Sequence, residues 1–304
     1  MKLPPDSGRG AWEWALVQAA SATARIRRLL TWKNITALLI LATAGALAVS
    51  WLGLVSIAAS SGHFAITRWF LGWTMENAVE TQSMLAKMPK TIDLDDPTLV
   101  QRAAGHFATG CAGCHGAPGI PQSPVVNAMT PSPPRLEGKV AQWDNAELFW
   151  IVKYGLKYTG MPAWPAQDRD DEVWAQVAFL RALPAMAPEE YADIALGGGS
   201  GLAEVDLEAG GLGAASLNGI VEEALVDCAR CHGLDGLGRG AGKAESAFPV
   251  IAGQPEAYLH ATLLAFAQGR RDSGFMEPPA TRYEADVLRR LARHYGKRPA
   301  ITVS

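Results

Sequence analysis

The sequence predicts an all-α chain: one N-terminal transmembrane helix followed by two copies of a small helical domain. Three observations carry this. Residues 34–62, "NITALLILATAGALAVSWLGLVSIAASSG", contain no formal charge. Further on, one order of features occurs twice: helix, Cys-x-x-Cys-His, irregular loop, helix, a methionine with glycine and proline close by, final helix. Between the copies, residues 196–216 are rich in glycine and contain no aromatic residue.

The apolar segment 34–62 reads as a transmembrane anchor. A helix from Ile35 to Ile57 would be about 35 Å long, enough to cross the hydrocarbon core of a bilayer. A signal peptide competes, because "IAAS" offers small residues for cleavage, but signal h-regions run to only about 15 residues. Arg25, Arg27, Arg28 and Lys33 come just before the segment. By the positive-inside rule they place residues 1–33 in the cytoplasm, and everything after the anchor in the periplasm of a bacterium. Residues 63–96 read as an interfacial helix and connector. Trp69, Phe70 and Trp73 suit an aromatic belt, and an exposed extension of the same helix reads equally well.

The two motifs are "CAGCH", residues 111–115, and "CARCH", residues 228–232, and they use all four cysteines of the chain. Cys-x-x-Cys-His is the attachment signature of c-type haem. Two cysteines three apart lie on nearly one side of a helical turn and can form thioethers to one porphyrin. The adjacent histidine then faces the iron. Cys111, Cys114 and His115 would hold one haem c, and Cys228, Cys231 and His232 a second. A redox dithiol would not need the histidine in both copies. A four-cysteine zinc site would leave both histidines unexplained.

Helix patterning frames each motif. Leu99, Ala103 and Phe107 share a helical face ahead of the first. "DDEVWAQVAFLRALP" has an acidic start, an apolar face at Val173, Trp174, Val177 and Leu180, and a proline end. The second copy runs through "SLNGIVEEALVDCARCH", "EAYLHATLLAFAQGRR", "SGFMEPPA" and "YEADVLRRLARHYG". The domains are expected at 97–195 and 217–304. The segment 196–216 reads as a flexible linker that lets them move relative to each other.

Each repeat resembles a class I cytochrome c domain. The stretch "FPVIAGQPEAYLHATLLAFAQGRR", residues 248–271, resembles bacterial two-domain di-haem cytochromes of the cytochrome c four type. "ELFWIVKYGLKYTGMPAW" resembles a related proteobacterial di-haem group and lacks the Ala-Gly-Gln of the c-four pattern. The likeness covers about residues 97–298. It implies a methionine as sixth iron ligand ahead of each final helix. Met161 in "TGMPAW" and Met276 in "GFMEPP" hold those places, in loops shaped by glycine and proline. Met129 competes with Met161; His106, His260 and His294 are the bis-histidine alternatives. The likeness also implies a proline carbonyl behind each proximal imidazole, which points to Pro134 and Pro249. Arg135, Arg270 or Arg271 would pair with haem propionates, or stay solvated.

A length of 304 residues suits two modest domains or one large one, and a net charge of −3 gives no case for nucleic acid. Residues 91–195 carry 7 basic and 13 acidic side chains, so the first haem region is acidic. His/Met ligation raises the haem potential and fills both axial positions, which argues for electron transfer rather than catalysis. "GGGSG" lacks the strand and lysine of a phosphate loop. The expected function is a membrane-tethered periplasmic di-haem carrier. Its donor would be a quinol-oxidising complex or a dehydrogenase, and its acceptor a terminal oxidase. The alternatives are a fixed subunit of an oxidase or dehydrogenase complex, and a di-haem peroxidase-type enzyme.

Overall fold

The computed structural model describes residues 31–197, 217–240 and 242–299. Most of the expected cytoplasmic segment and, from residue 198, the expected linker lie outside the described residues. The chain divides into two compact units, Met1–Ser61 and Gly62–Ser304.

The first unit contains helix α1, Trp32–Trp51. Thr31 caps it, its hydroxyl accepting from the Asn34 amide. Gly53, at φ 64°, follows its end, so the helix stops short of the expected Ile57. Twenty residues still give about 30 Å, the thickness of a bilayer core. Among the described residues it is the one helix long and apolar enough to cross a membrane.

The second unit opens with α2, Ala65–Ser83. Its first half leaves Ile66, Trp69, Phe70 and Trp73 exposed, with Trp69 stacked on Trp73 at 6.1 Å. Its second half buries Val79 and Ser83 and packs on α6, Asn145–Tyr154. The helix is therefore part of the folded unit, not a free extension.

In the first repeat α3, Pro97–His106, starts at an Asp96 cap and runs into a π-helical turn, Phe107–Cys111. A short α4, Ala112–His115, completes the motif, so the helix continues through the haem signature. After α5, Pro124–Asn127, helix α6 begins in a capping box formed by Asp144 and Glu147. Helix α7, Asp170–Ala182, is central: residues 172–180 are all buried. Its apolar stripe meets α3 and α6, with Phe149 stacked on Trp174 at 4.4 Å and Phe107 against Phe179 at 4.8 Å. Helix α8, Pro188–Leu196, adds Tyr191 to this core. Ile92 and Leu94 also pack on it, so the first core draws on residues before 97.

The second repeat is built from α9, Leu217–His232; α10, Glu256–Ala267; α11, Glu277–Thr281; and α12, Ala285–Gly296. Helix α12 buries Val287, Leu288, Leu291, Ala292 and Tyr295, a stripe that recurs each turn. Asp227 ties α9 to the approach of α12, accepting from Tyr283 Oη at 2.6 Å and pairing with Arg282 at 2.6 Å and Arg230 at 3.3 Å.

The two repeats share an interface, against the expectation of independent movement. Thr98 Oγ1 donates to Lys243 O at 2.9 Å, and Arg239 Nη2 to Asp193 O at 3.1 Å. Glu172, on α7, is 1% exposed and accepts from Ser273 and Gly274 of the second repeat. A glycine-rich connection does not prevent docking, because the faces it joins carry the docking groups. Proteolytic nicking within residues 198–216 should therefore leave two fragments that co-elute in native size-exclusion chromatography and separate only in denaturant.

Candidate haem sites

Each proximal site is assembled by a hydrogen bond between a histidine and a proline carbonyl. His115 Nδ1 donates to Pro134 O at 2.8 Å. His232 Nδ1 donates to Pro249 O at 3.3 Å. A ring nitrogen committed to a carbonyl fixes the tautomer and leaves Nε2 for iron. In the first repeat two side chains close this loop. Gln122 Nε2 donates to Cys114 O at 2.9 Å and to Pro133 O at 2.8 Å, joining the motif to the proline segment. Arg135 donates to Ala117 O and Ile120 O and pairs with Glu137. Its guanidinium is thus engaged in holding the loop. Arg270 is turned to Gln268, and Arg271 lies over the Phe266 ring at 4.8 Å. Nothing in the sequence singles out Gln122, because a glutamine in a loop carries no periodic or motif signal.

Burial favours the protonated form of three of the four motif thiols. Burial, with Cys114 beside it, pushes the Cys111 thiol up to about 12. Burial, with Asp227 and Cys231 nearby, pushes Cys228 up to about 12, and burial raises Cys231 to about 11. A dithiol oxidoreductase needs the opposite shift, toward thiolate at neutral pH. Among the described residues no group of three or more His, Cys, Asp and Glu side chains converges as a metal site. Two thiols beside one imidazole, with that imidazole held from behind, fit a covalently bound haem.

The Met161 loop is folded back over the end of α6. Leu156 N donates to Met161 O at 3.2 Å, and Trp164 N to Lys153 O at 2.9 Å. Gly155 makes this possible: at φ 64°, any Cβ there would meet the carbonyls of Met161 and Pro162 at 2.6–2.7 Å. Met161 is half-buried, and the Met129 methyl reaches Gly160 beside it, so both methionines belong to one loop cluster. Met276 is also half-buried and caps α11. The competing histidines differ. His106 is packed against Trp164 at 4.5 Å and Phe275 at 5.6 Å, and burial lowers its pKa to about 4. His294 directs Nε2 to Leu234 O at 2.9 Å. His260 Nε2 is buried with no hydrogen-bond partner among the described residues.

An all-helical unit built on Cys-x-x-Cys-His, with the imidazole braced by a proline carbonyl, is a cytochrome c domain. The profile of the family "Cytochrome C oxidase, cbb3-type, subunit III" matches residues 98–180, most of the first repeat. A protein of Stutzerimonas stutzeri (strain A1501) named thiosulfate dehydrogenase electron acceptor is 34% identical over 172 residues, which are 56% of this chain and 69% of that protein. A protein of the same name from Thiomonas intermedia (strain K12) is 37% identical over 72 residues, 24% of this chain and 31% of that protein. No solved structure matches the chain. The chain belongs with the thiosulfate dehydrogenase electron acceptor of Stutzerimonas stutzeri to one family of c-type cytochromes. It is an electron carrier with covalently bound haem c, not an enzyme.

The second motif is packed against the first repeat. A Cβ on Gly105, in α3, would lie 2.7 Å from Cys231 Sγ. Gly105→Val should overpack this contact and destabilise the protein by about 1–3 kcal/mol. Gly138→Ala, where a Cβ meets nothing within 4 Å, should stay within about 0.5 kcal/mol. Chemical denaturation of the two variants beside the parent measures the difference.

Proposed function

We propose that the chain is a membrane-tethered di-haem cytochrome c that carries electrons on the periplasmic side. It would take them from a dehydrogenase or a quinol-oxidising complex and deliver them to a terminal oxidase. The observation that carries the di-haem reading is the repeated proximal arrangement: His232 and Pro249 reproduce the bond made by His115 and Pro134. Haem iron supplies a one-electron centre that alternates between ferric and ferrous. The residues of the chain set how it is held. Cys111, Cys114, Cys228 and Cys231 attach the two porphyrins, and His115 and His232 ligate from the proximal side. Met161 and Met276 would supply the second protein ligand to each iron. Helix α1 serves as the anchor, with the basic residues before it on the cytoplasmic side.

The relatives' name favours the dehydrogenase among the possible donors, and a thiosulfate dehydrogenase in particular. In a mixture of thiosulfate, such a dehydrogenase and the oxidised cytochrome, both haems should be reduced within the dehydrogenase's turnover time, followed by the haem α-band. Reduction only by a quinol-oxidising complex would move the donor to that arm. A fixed subunit of an oxidase complex is the second reading, favoured by the profile match over residues 98–180. Its signature is stoichiometric co-purification with a larger complex in mild detergent.

Ligation is tested by substitution. Met161→Ala and Met276→Ala should each remove about half of the near-infrared sulfur-to-iron band of the oxidised protein, because each opens one of two His/Met irons. Each should also let the reduced protein bind carbon monoxide at that haem, with both haems still attached. An intact band in Met276→Ala would transfer the role to His260.

A further inference from the structure

The methionine loop of the second repeat is held by the first. Three polar contacts to residues 272–274 come from α7 and the residue that precedes it, Arg169. Arg169 Nη1 donates to Asp272 O at 2.9 Å, Ser273 Oγ donates to Glu172 Oε1 at 2.6 Å, and Gly274 N donates to Glu172 Oε2 at 2.5 Å. Arg169 also pairs with Glu172 at 3.0 Å, so the buried carboxylate meets a cation, a hydroxyl and an amide at once. The hydroxyl that binds Glu172 is relayed onward, because Met276 N donates to Ser273 Oγ at 3.1 Å. An aromatic contact reinforces the grip. Trp164, three residues after Met161, meets Phe275, one residue before Met276, edge to face at 5.7 Å. The Trp164 ring lies so close over Gly274 that a Cβ there would fall 2.1 Å from Nε1.

A carboxylate this deeply buried is costly unless every oxygen is satisfied. Here the first repeat supplies the carboxylate and its cation, and the second supplies the hydroxyl and amide. We propose that Glu172 is a positioning residue for the second haem. It sets the path of residues 273–276 and, through Ser273, the placement of Met276, so that distal ligation of the second iron depends on docking to the first repeat. This rests on the reading of Met276 as the second iron's distal ligand. The consequence is functional as well as structural: the potential of one haem is tied to the packing of the domain that carries the other.

The test uses the full-length holoprotein with Glu172→Gln, Ser273→Ala, Ser273→Thr and Met276→Ala. Glutamine at 172 sets an amide N–H against a donor, and alanine at 273 removes the relay. Both should lower one midpoint potential and admit carbon monoxide at one haem, the haem affected by Met276→Ala, and leave the other haem unchanged. Both should also speed exchange of the Gly274 and Met276 amides about tenfold or more, the loss of one charge-assisted hydrogen bond. Ser273→Thr keeps the hydroxyl and should restore the parent potential, which a purely packing role would not do. If Met276→Ala alters one haem while Glu172→Gln and Ser273→Ala leave potential, carbon monoxide binding and exchange unchanged, the positioning role is overturned and the ligand reading stands. If Met276→Ala leaves both haems unaltered, the ligand reading fails and the positioning role fails with it. Should Glu172→Gln not accumulate as holoprotein, Ser273→Ala, which leaves the Arg169–Glu172 pair in place, decides alone.

Discussion

An imidazole presents one nitrogen in a fixed tautomer and orientation when the other is held, and the fold around both motifs is arranged to hold it. Pro134 and Pro249 present carbonyls to the Nδ1 atoms of His115 and His232. Proline suits this task because its carbonyl is free of a competing N–H on the same residue and its φ is locked. In the first repeat the carbonyl is itself placed by Gln122 and Arg135, which lace residues 114–135 into one loop. In the second, Ile251 N donates to Gly236 O at 2.8 Å and brings the proline strap under the motif. Different side chains and turns thus produce one proximal geometry.

The repeats are not equivalent in how they support the motif. The first has a full core around α7, with Trp174, Phe107, Phe179 and Tyr191 buried together. The second has smaller clusters, in which Cys228 packs beside Leu225 and Leu263. Polar clamps make up part of the difference. Asp227, next to Cys228, gathers Tyr283, Arg282 and Arg230. Glu172 lends the second repeat an anchor from outside it. Removal of a buried charge partner typically costs several kcal/mol, so these clamps hold the second repeat to one arrangement.

The interface also places aromatic side chains where the two methionine loops meet. Trp164, Phe275 and His106 pack together there, each pair within 6 Å. His106 belongs to this cluster, and its burial keeps the imidazole neutral at ordinary pH. Such aromatic pairs contribute about 0.5–1.5 kcal/mol each beyond the area they bury. The cluster joins the repeats by shape at residues 274–275, and Arg169 and Glu172 join them by charge at residues 272–274.

The sequence by itself determined what is covalent and local. The spacing of the cysteines and histidines named the cofactor chemistry, and the pattern of "DDEVWAQVAFLRALP" located a helix that frames it. The resemblance to class I cytochrome c domains pointed to the proline carbonyl behind each imidazole. These features repeat at short range, so they are legible without knowing what lies across the fold. Only the tertiary structure decided the rest. An acidic residue in the first turn of a helix reads as a favourable charge near the macrodipole, and nothing in "DDEVW" separates buried Glu172 from the exposed carboxylates beside it. The glycine-rich linker suggested mobile domains because local composition reports the freedom of the connection, not the complementarity of the faces it connects. Gly105 and Gly274 are small because a sulfur and an indole from the other repeat occupy the space where their side chains would be. Those contacts span more than 100 residues of chain, and they exist only once both repeats have folded and met.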